Sequence, residues 1–597
     1  MNRGGLRFLL FLLPAAWLAL LAAPALREGL PGFVSAFPEM LAHPFSIRLC
    51  GATPICLVCA VGAAALAALL SEPDPFRGRE FGSAAWGDPE RIRKIYADPV
   101  PENNRILTQR MRLSLNTRRH GRNTNVLVIG GSGSGKSRSY ALVNLLQCEN
   151  TSYFVLDPKR ELLQTAGYCL RQHGFAVREF NLLDFGKSLC YNPFYYLRDE
   201  NDAQRLVTNL FRATTPKGSR STDPFWDSAA SMLLMALLLY LRTDCPPEDQ
   251  NFSNVMRLLR EAGSLDEETG GQSPLDVLFD DLARRKPEAL AGKYYRNYRA
   301  GPARTLKSIQ LTLASRLDKF NLESLAALTR TDELRLQDLG LRRTALFAVI
   351  PDNDTSFNFL ISMLYTQIFQ QLFSLADSCP GGTLPVPVHF LMDEFANISL
   401  PDDFDKILAT MRSRGISASL ILQNLSQLKA LYEKQWQSIA GNCDSFLYLG
   451  GNEPETHRYV SEMLGKATIQ ARSSGRSRGA GGGSSVSRQR IGRSLLLPEE
   501  IRQLPRNECL LLIRGEKPVR DRKFDPCRHP SYRLTPEAGA PRYAPQEEDR
   551  STGSLQLIRR REGQQVRECC LPPDNAEEAA LYTEQTLAAA LAAEERM

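Results

Sequence analysis

The sequence predicts a doubly wound α/β domain, interrupted by an all-helical insertion and preceded by an apolar two-helix hairpin. Three observations predict it. Short buried-type runs such as NVLVI, YFVLD and TALFAVI recur along the chain, the first two leading directly into helical patterns, as βαβ units require. From about Asp199 to Arg330 the strand signal disappears and helical periodicity takes over, as in DPFWDSAASMLLMALLLYLRT and TLKSIQLTLASRLDKF. Near the start, Leu6–Leu26 and Leu49–Leu70 are each about as long as the ~20 apolar residues that cross a bilayer.

The hairpin comes first. Leu6–Leu26 reads as a membrane span, although Arg3 and Arg7 before it and Ala23-Pro24-Ala25 near its end also fit a cleavable leader. Leu49–Leu70 anchors the chain in either case. Basic residues flank the outer ends, Arg3 and Arg7 on one side and Arg77, Arg79, Arg91, Arg93 and Lys94 on the other, whereas the short connection carries only Arg27 and Arg48. Both ends are therefore expected in the cytoplasm, in a multi-pass cell-membrane protein.

With 597 residues and a formal charge of +7, the chain is long enough for several cores but too weakly basic for composition alone to name a nucleic-acid partner. The 13 cysteines show no paired framework and read as reduced packing residues. The expected organisation is a hairpin over 1–75, a basic juxtamembrane segment over 76–125, one half of the α/β domain over 126–198, the insertion over 199–335, the second half over 336–530 and a flexible tail over 531–597 with a terminal helix from Asp574. The apolar run Asp227–Leu241 is expected as a buried helix of the insertion. Arg472–Arg493, rich in Gly, Ser and Arg, is expected as a flexible loop that suits contact with a nucleic-acid backbone, or else a solvated linker.

The chemistry concentrates at strand ends. Gly130, Gly131, Ser132, Gly133, Ser134, Gly135, Lys136 and Ser137 satisfy G-x-x-x-x-G-K-[ST] between a strand and a helix. Glycines let N–H groups turn around phosphates, the lysine reaches the outer phosphate oxygens, and the serine hydroxyl serves Mg²⁺. This spacing calls for ATP with Mg²⁺. A second acidic site follows the strand PVHFLM, where Asp393 is expected to join Ser137 in the metal shell and Glu394 to orient the attacking water. These groups are expected to meet across one nucleotide at adjoining strand tips. Gln423, ending the strand SLILQ, fits a γ-phosphate sensor or a merely hydrogen-bonded strand end. Arg412 and Arg414 fit an arginine finger reaching a neighbouring subunit, or exposed helix-end charges. Asp157-Pro158-Lys159 either lines the cleft or forms a strand-to-helix turn in which Asp157 caps the helix that follows.

FGSAAWG after the hairpin, GGSGSGKS, LDPKREL, YNPF, DPFW, LMDEFANI and ILQNLSQL together resemble the TraG/TraD family of type IV secretion coupling proteins across about residues 80–528. IPD, LLPEEIRQL and IRGEKPVRDRKFD are similar to its branch in Gram-positive conjugative elements. The resemblance implies a membrane-anchored, RecA-like hexameric P-loop ATPase that passes relaxase-bound, single-stranded DNA to the secretion channel without reading its sequence. It carries over Lys136, Ser137, Asp393, Glu394 and Gln423 in the roles given above, and favours DNA and relaxase recognition by the insertion. A docking receptor that binds ATP and gates the channel without pumping is the alternative. The sequence departs from the family where Arg160 stands in place of the glycine of DPKGEL, and where Ala85-Trp86-Gly87 varies SARWA.

Overall fold

The computed structural model describes residues 3–70, 79–215, 224–262, 272–351, 354–397, 404–476 and 484–545. They fall into two compact units, Met1–Ser83 with Lys466–Arg493, and Ala84–Gly465 with Ser494–Met597.

In the first unit the helices Arg3–Ala22 and Thr53–Leu70 pack side by side. Both leave large apolar side chains exposed, among them Leu10, Leu13 and Val58. The connection expected to be a short loop contains a third helix, Gly29–Ala42. Its two internal glycines and two prolines mask an otherwise apolar run in the sequence. The unit also holds Lys466–Arg476 and Ser484–Ser494, which pair as a two-stranded sheet. A loop was the expectation for Arg472–Arg493; Thr468 and Ile469 ahead of the arginines, with Val486 and Ile491 among them, supply enough extended propensity for pairing.

The second unit is built on a nine-stranded sheet. In chain order its strands are β1 (Val126–Ile129), β2 (Ser152–Pro158), β3 (Ala176–Asn181), β4 (Thr344–Ile350), β5 (Val388–Met392), β6 (Ile416–Leu422), β7 (Ser445–Tyr448), β8 (Glu508–Ile513) and β9 (Val519–Arg522). Across the sheet they run β9-β8-β7-β1-β6-β5-β2-β4-β3, parallel from β7 to β3 and antiparallel at β8 and β9.

The parallel strands are buried on both faces, so their residues divide alternately between two cores. Leu127, Ile129, Phe154, Leu156, Leu346 and Ala348 face one side, where the insertion helices and the helix Asn358–Ser378 cover the sheet. Val126, Val128, Tyr153, Val155, Ala345 and Phe347 face the other, covered by the helical run Ser137–Leu146 and the helix Glu161–Gln172. The insertion is helical as expected, with helices that include Glu200–Thr214, Pro224–Asp244, Phe252–Ala262, Pro274–Arg285, Leu290–Arg299 and Ala303–Leu317. Pro224–Asp244 and Asn358–Ser378 are long and apolar enough to cross a membrane, yet most of each is buried in this unit, which makes them core helices.

The chain after β9 is ordered further than the expected tail boundary at 531. Short 3-10 turns continue to 538, and Tyr543 lies beneath the Arg171 guanidinium, 4.8 Å from carbon to ring centre. The helix expected from Asp574 lies outside the described residues.

Candidate functional site

The loop leaving β1 takes its shape from the strands on either side. Gly130 donates its N–H to the Leu422 carbonyl at the end of β6 (3.0 Å), and Gly131 donates to the Gly450 carbonyl just beyond β7 (2.8 Å). Glycine is required at two positions for different reasons. A Cβ on Gly130 would lie 2.3 Å from Ser134 Oγ and 3.0 Å from Leu449 Cβ. Gly135 has φ +91°, where a side chain is strained. The helix that follows opens with a π-helical segment, Ser137–Leu142, a geometry common at functional sites.

This loop brings Lys136 and Ser137 to the acidic end of β5. Ser137 Oγ donates to Asp393 Oδ2 at 2.5 Å, joining residues 256 positions apart. Lys136 Nζ donates to the Gly131 carbonyl at 3.2 Å. Burial lowers the pKa of Lys136, with Asp393 and Glu394 opposing the shift. Asp393 is 4% exposed. Burial raises the pKa of its carboxyl, against the Ser137 hydroxyl and Lys136. Glu394 follows with φ +53°, a left-handed conformation uncommon for a non-glycine residue, and donates its N–H to Asp393 Oδ1 at 3.1 Å. Local strain of this kind clusters at functional sites.

These side chains share a cleft of about 290 Å³ with Ser132, Gly133, Gly135, Asp157 and Gln423. The sequence reading had the tips adjoining, but the strand order places β6 between β1 and β5. Gln423, the residue after β6, therefore stands between the loop and the acidic pair. Asp157 stands both at the cleft and at the helix start. It lines the cleft, and its two carboxylate oxygens accept N–H bonds from Leu162 (3.2 Å) and Leu163 (2.8 Å) at the start of the next helix. Burial dominates those bonds and pushes its pKa up to about 7.

Arg412 and Arg414 are not in this cleft. They precede β6, at the opposite rim of the sheet. Arg414 pairs with Asp377 at 2.9 Å and lies over Phe373, while Arg412 is exposed. The sequence reading gave no role to Lys523, whose ammonium donates to the Ser134 carbonyl at 2.7 Å and fixes the loop from the β9 side. Nor did it anticipate Glu161, which lines the cleft beside Asp157 and Lys159. A charged residue just past a short edge strand carries no pattern that points to a loop hundreds of positions away.

Where Arg160 replaces the family's glycine, the backbone still takes the glycine-like conformation, with φ 66° and ψ 16°. Two parallel bonds from its guanidinium to Glu179, at 2.5 and 2.8 Å, hold it there.

The sheet order, the glycine loop and the convergence of Lys136, Ser137 and Asp393 define a RecA-like P-loop protein. A family model described as type IV secretory system conjugative DNA transfer matches residues 93–530. The chain belongs to that family. It is 25% identical over 414 residues to protein VirD4 of Rhizobium rhizogenes, covering 68% of this chain and 58% of that protein. It is 24% identical over 417 residues to conjugal transfer protein TraG of Rhizobium radiobacter, covering 66% and 60%. The chain thus spans less than two thirds of the length of these relatives. Among solved structures, the conjugative coupling protein TrwB in its unbound form matches with a TM-score of 0.51 at 17% identity, over 75% of this chain and 95% of that one. TrwB in complex with the ATP analogue ADPNP matches with the same score, identity and coverage.

Proposed function

We propose that the chain is a membrane-anchored ATPase that couples relaxase-bound DNA to a type IV secretion channel and drives its transfer. One observation carries the enzymatic part: the Ser137–Asp393 hydrogen bond, which sets the phosphate loop and the acidic strand end at a single point. Family membership supports the transport part.

The residues fit ATP with Mg²⁺. Two oxygen donors, Ser137 Oγ and Asp393 Oδ2, already converge as a hard divalent cation requires, and Lys136 folds onto the glycine loop from which it would meet phosphate oxygens. Bound ATP·Mg²⁺ supplies the transferable phosphoryl group and the charge that neutralises its oxygens. The protein's own contribution is positional. Lys136 places a cation at the outer phosphates, Glu394 orients a water and accepts its proton, Gln423 reads the presence of the terminal phosphate, and Asp157 fixes the cleft wall at the helix start. Arg412, exposed at the other rim, would reach the cleft of a neighbouring subunit in a homo-oligomer, for which we infer six copies.

The apolar faces of Arg3–Ala22 and Thr53–Leu70 suit a bilayer, with the α/β unit in the cytoplasm. Arg472, Arg488 and Arg493 along the two-stranded sheet suit sequence-independent contact with single-stranded DNA.

The test is ATP hydrolysis by the detergent-solubilised full chain with and without single-stranded DNA. DNA is expected to stimulate turnover, and Lys136→Ala to reduce it by about 10²–10³-fold. Undiminished turnover in the variant would remove the assigned site.

A further inference from the structure

We propose that Cys148, Cys169 and His173 form a binding site for one thiophilic divalent metal ion of the zinc class, apart from the nucleotide cleft. No local spacing signals it, because Cys148 lies 21 residues from Cys169 and no C-x-x-C occurs there. Folding brings the three together. Cys148 follows the helical run that leaves the phosphate loop, and Cys169 and His173 lie four residues apart at the end of the helix Glu161–Gln172, on one face.

The separations match a coordination sphere. Cys148 Sγ and Cys169 Sγ are 3.9 Å apart, and Cys169 Sγ and His173 Nδ1 are 3.7 Å apart. All three ligand atoms lie within 4.8 Å of one another. With Zn–S bonds of about 2.3 Å and Zn–N bonds of about 2.0–2.1 Å, tetrahedral geometry sets neighbouring sulfurs ~3.8 Å apart and a sulfur and nitrogen ~3.6 Å apart. Both measured pairs fall within ~0.2 Å of those values, the tolerance a metal site demands. A disulfide would need the sulfurs at about 2.05 Å, far closer than they lie.

The surroundings suit a soft metal with a way in. Both thiols are buried, whereas His173 is exposed and leaves the fourth position open to water. Cys148 has φ +48°, a left-handed backbone uncommon for this residue type. Binding has a definite proton balance. Each thiol releases its proton and the imidazole coordinates as the neutral ring. His173 Nδ1 now lies 2.8 Å from the Cys169 carbonyl, so the ring gives up that hydrogen bond when its lone pair turns to the metal.

The ion would join the far ends of two helical segments whose near ends carry Ser137 and Glu161 at the nucleotide cleft. Its role is therefore to fix the spacing of two cleft walls, and it takes no part in the reaction.

The experiment measures metal in the full chain purified without chelator, in the absence of nucleotide, so its result is independent of the ATPase reading. About one zinc per chain is expected after dialysis, and cobalt substitution should give thiolate-to-cobalt charge-transfer absorption. Cys148→Ser should abolish that absorption. Because a serine buried at this position destabilises the fold, the exposed His173→Ala provides the second variant, expected to weaken zinc binding tenfold or more while the chain stays folded. Wild-type protein that holds no zinc after loading and dialysis would overturn the proposal. So would His173→Ala with unchanged stoichiometry and affinity, or a Cys148–Cys169 cross-linked peptide in mass spectrometry of protein purified without reductant.

Discussion

The two rims of the central sheet carry charge in opposite ways. At the carboxyl rim, a cleft of about 290 Å³ gathers Lys136, Asp157, Asp393 and Glu394. At the amino rim, a larger hollow of about 550 Å³ is lined by Arg105, Arg118 and Arg412 among threonines and asparagines. The larger space is not where we place the chemistry. Two arginines near the amino rim are neutralised within the fold: Arg105 is 1% exposed and bonded to Glu149 at 3.1 Å, and Arg414 is paired with Asp377. In the cleft, burial raises the pKa of two carboxyl groups, Asp157 and Asp393, and the environment asks for a cation. Unresolved charge locates the site better than volume does, and it lies where parallel sheets bind ligands.

The sharpest way to break this comparison is to compare one residue from each rim. Glu394→Gln, in the cleft, should lower ATP turnover by about 10²–10⁴-fold, the usual contribution of a general base. Arg412→Ala should also lower it if the amino rim serves a neighbour's cleft. Mixed with Glu394→Gln protein, it should then recover part of the activity, because each variant retains what the other lacks. Equal loss in the mixture would confine Arg412 to its own subunit. DNA transfer that persists in Glu394→Gln would favour the docking-receptor alternative.

A second test concerns stability at the amino rim. Glu149→Gln strips the counter-charge from a buried guanidinium and should cost about 3–5 kcal/mol, seen as a lower midpoint of thermal unfolding. Arg105 Nε and Glu149 Oε1 have no hydrogen-bond partner, so the pair is imperfectly solvated by the protein. Arg105→Met with Glu149→Leu should therefore regain most of the loss. A double variant as unstable as the single one would show that the pair does more than neutralise itself.

At the carboxyl rim the corresponding test uses pH. Asp157 titrates at about 7 in the fold. Its unfolded value is about 3.9, so the folded state binds more protons between these values and stability falls as pH rises from about 4 to 7. The full penalty, at most about 4 kcal/mol, is present above pH 7. Asp157→Asn removes it while leaving one oxygen to accept from the helix start. The variant's thermal midpoint, measured without nucleotide, should gain on the wild type from pH 5 to pH 8. A pH-independent difference would mean that Asp157 stays ionised throughout.

How much of this was legible depended on how local each signal was. The strand Thr344–Ile350 was read to the residue, since an apolar run stands between Arg343 and Pro351. The loop residues Gly130–Ser137 were equally plain, because their spacing alone encodes a phosphate grip. β9 escaped notice: it is four residues long, VRDR, and three of the four are charged, Arg520 and Arg522 facing solvent and the buried Asp521 accepting from Thr108 and Arg110. Lys523 and the Cys148–Cys169–His173 cluster were illegible for another reason. Their significance arises only when the fold closes distances that the chain leaves open.

The smallest effect concerns Arg160, where local and tertiary preferences conflict. Its left-handed backbone disfavours any side chain by about 1 kcal/mol relative to glycine. Against this stands a two-bond ion pair with the buried Glu179. Arg160→Gly relieves the backbone but leaves the buried Glu179 without its counter-charge, so the thermal midpoint should fall. Arg160→Ala leaves Glu179 in the same state and keeps the strain; it should be less stable than Arg160→Gly by about 1 kcal/mol. If the alanine variant is as stable as the glycine one, the left-handed turn is not what a glycine at this position serves.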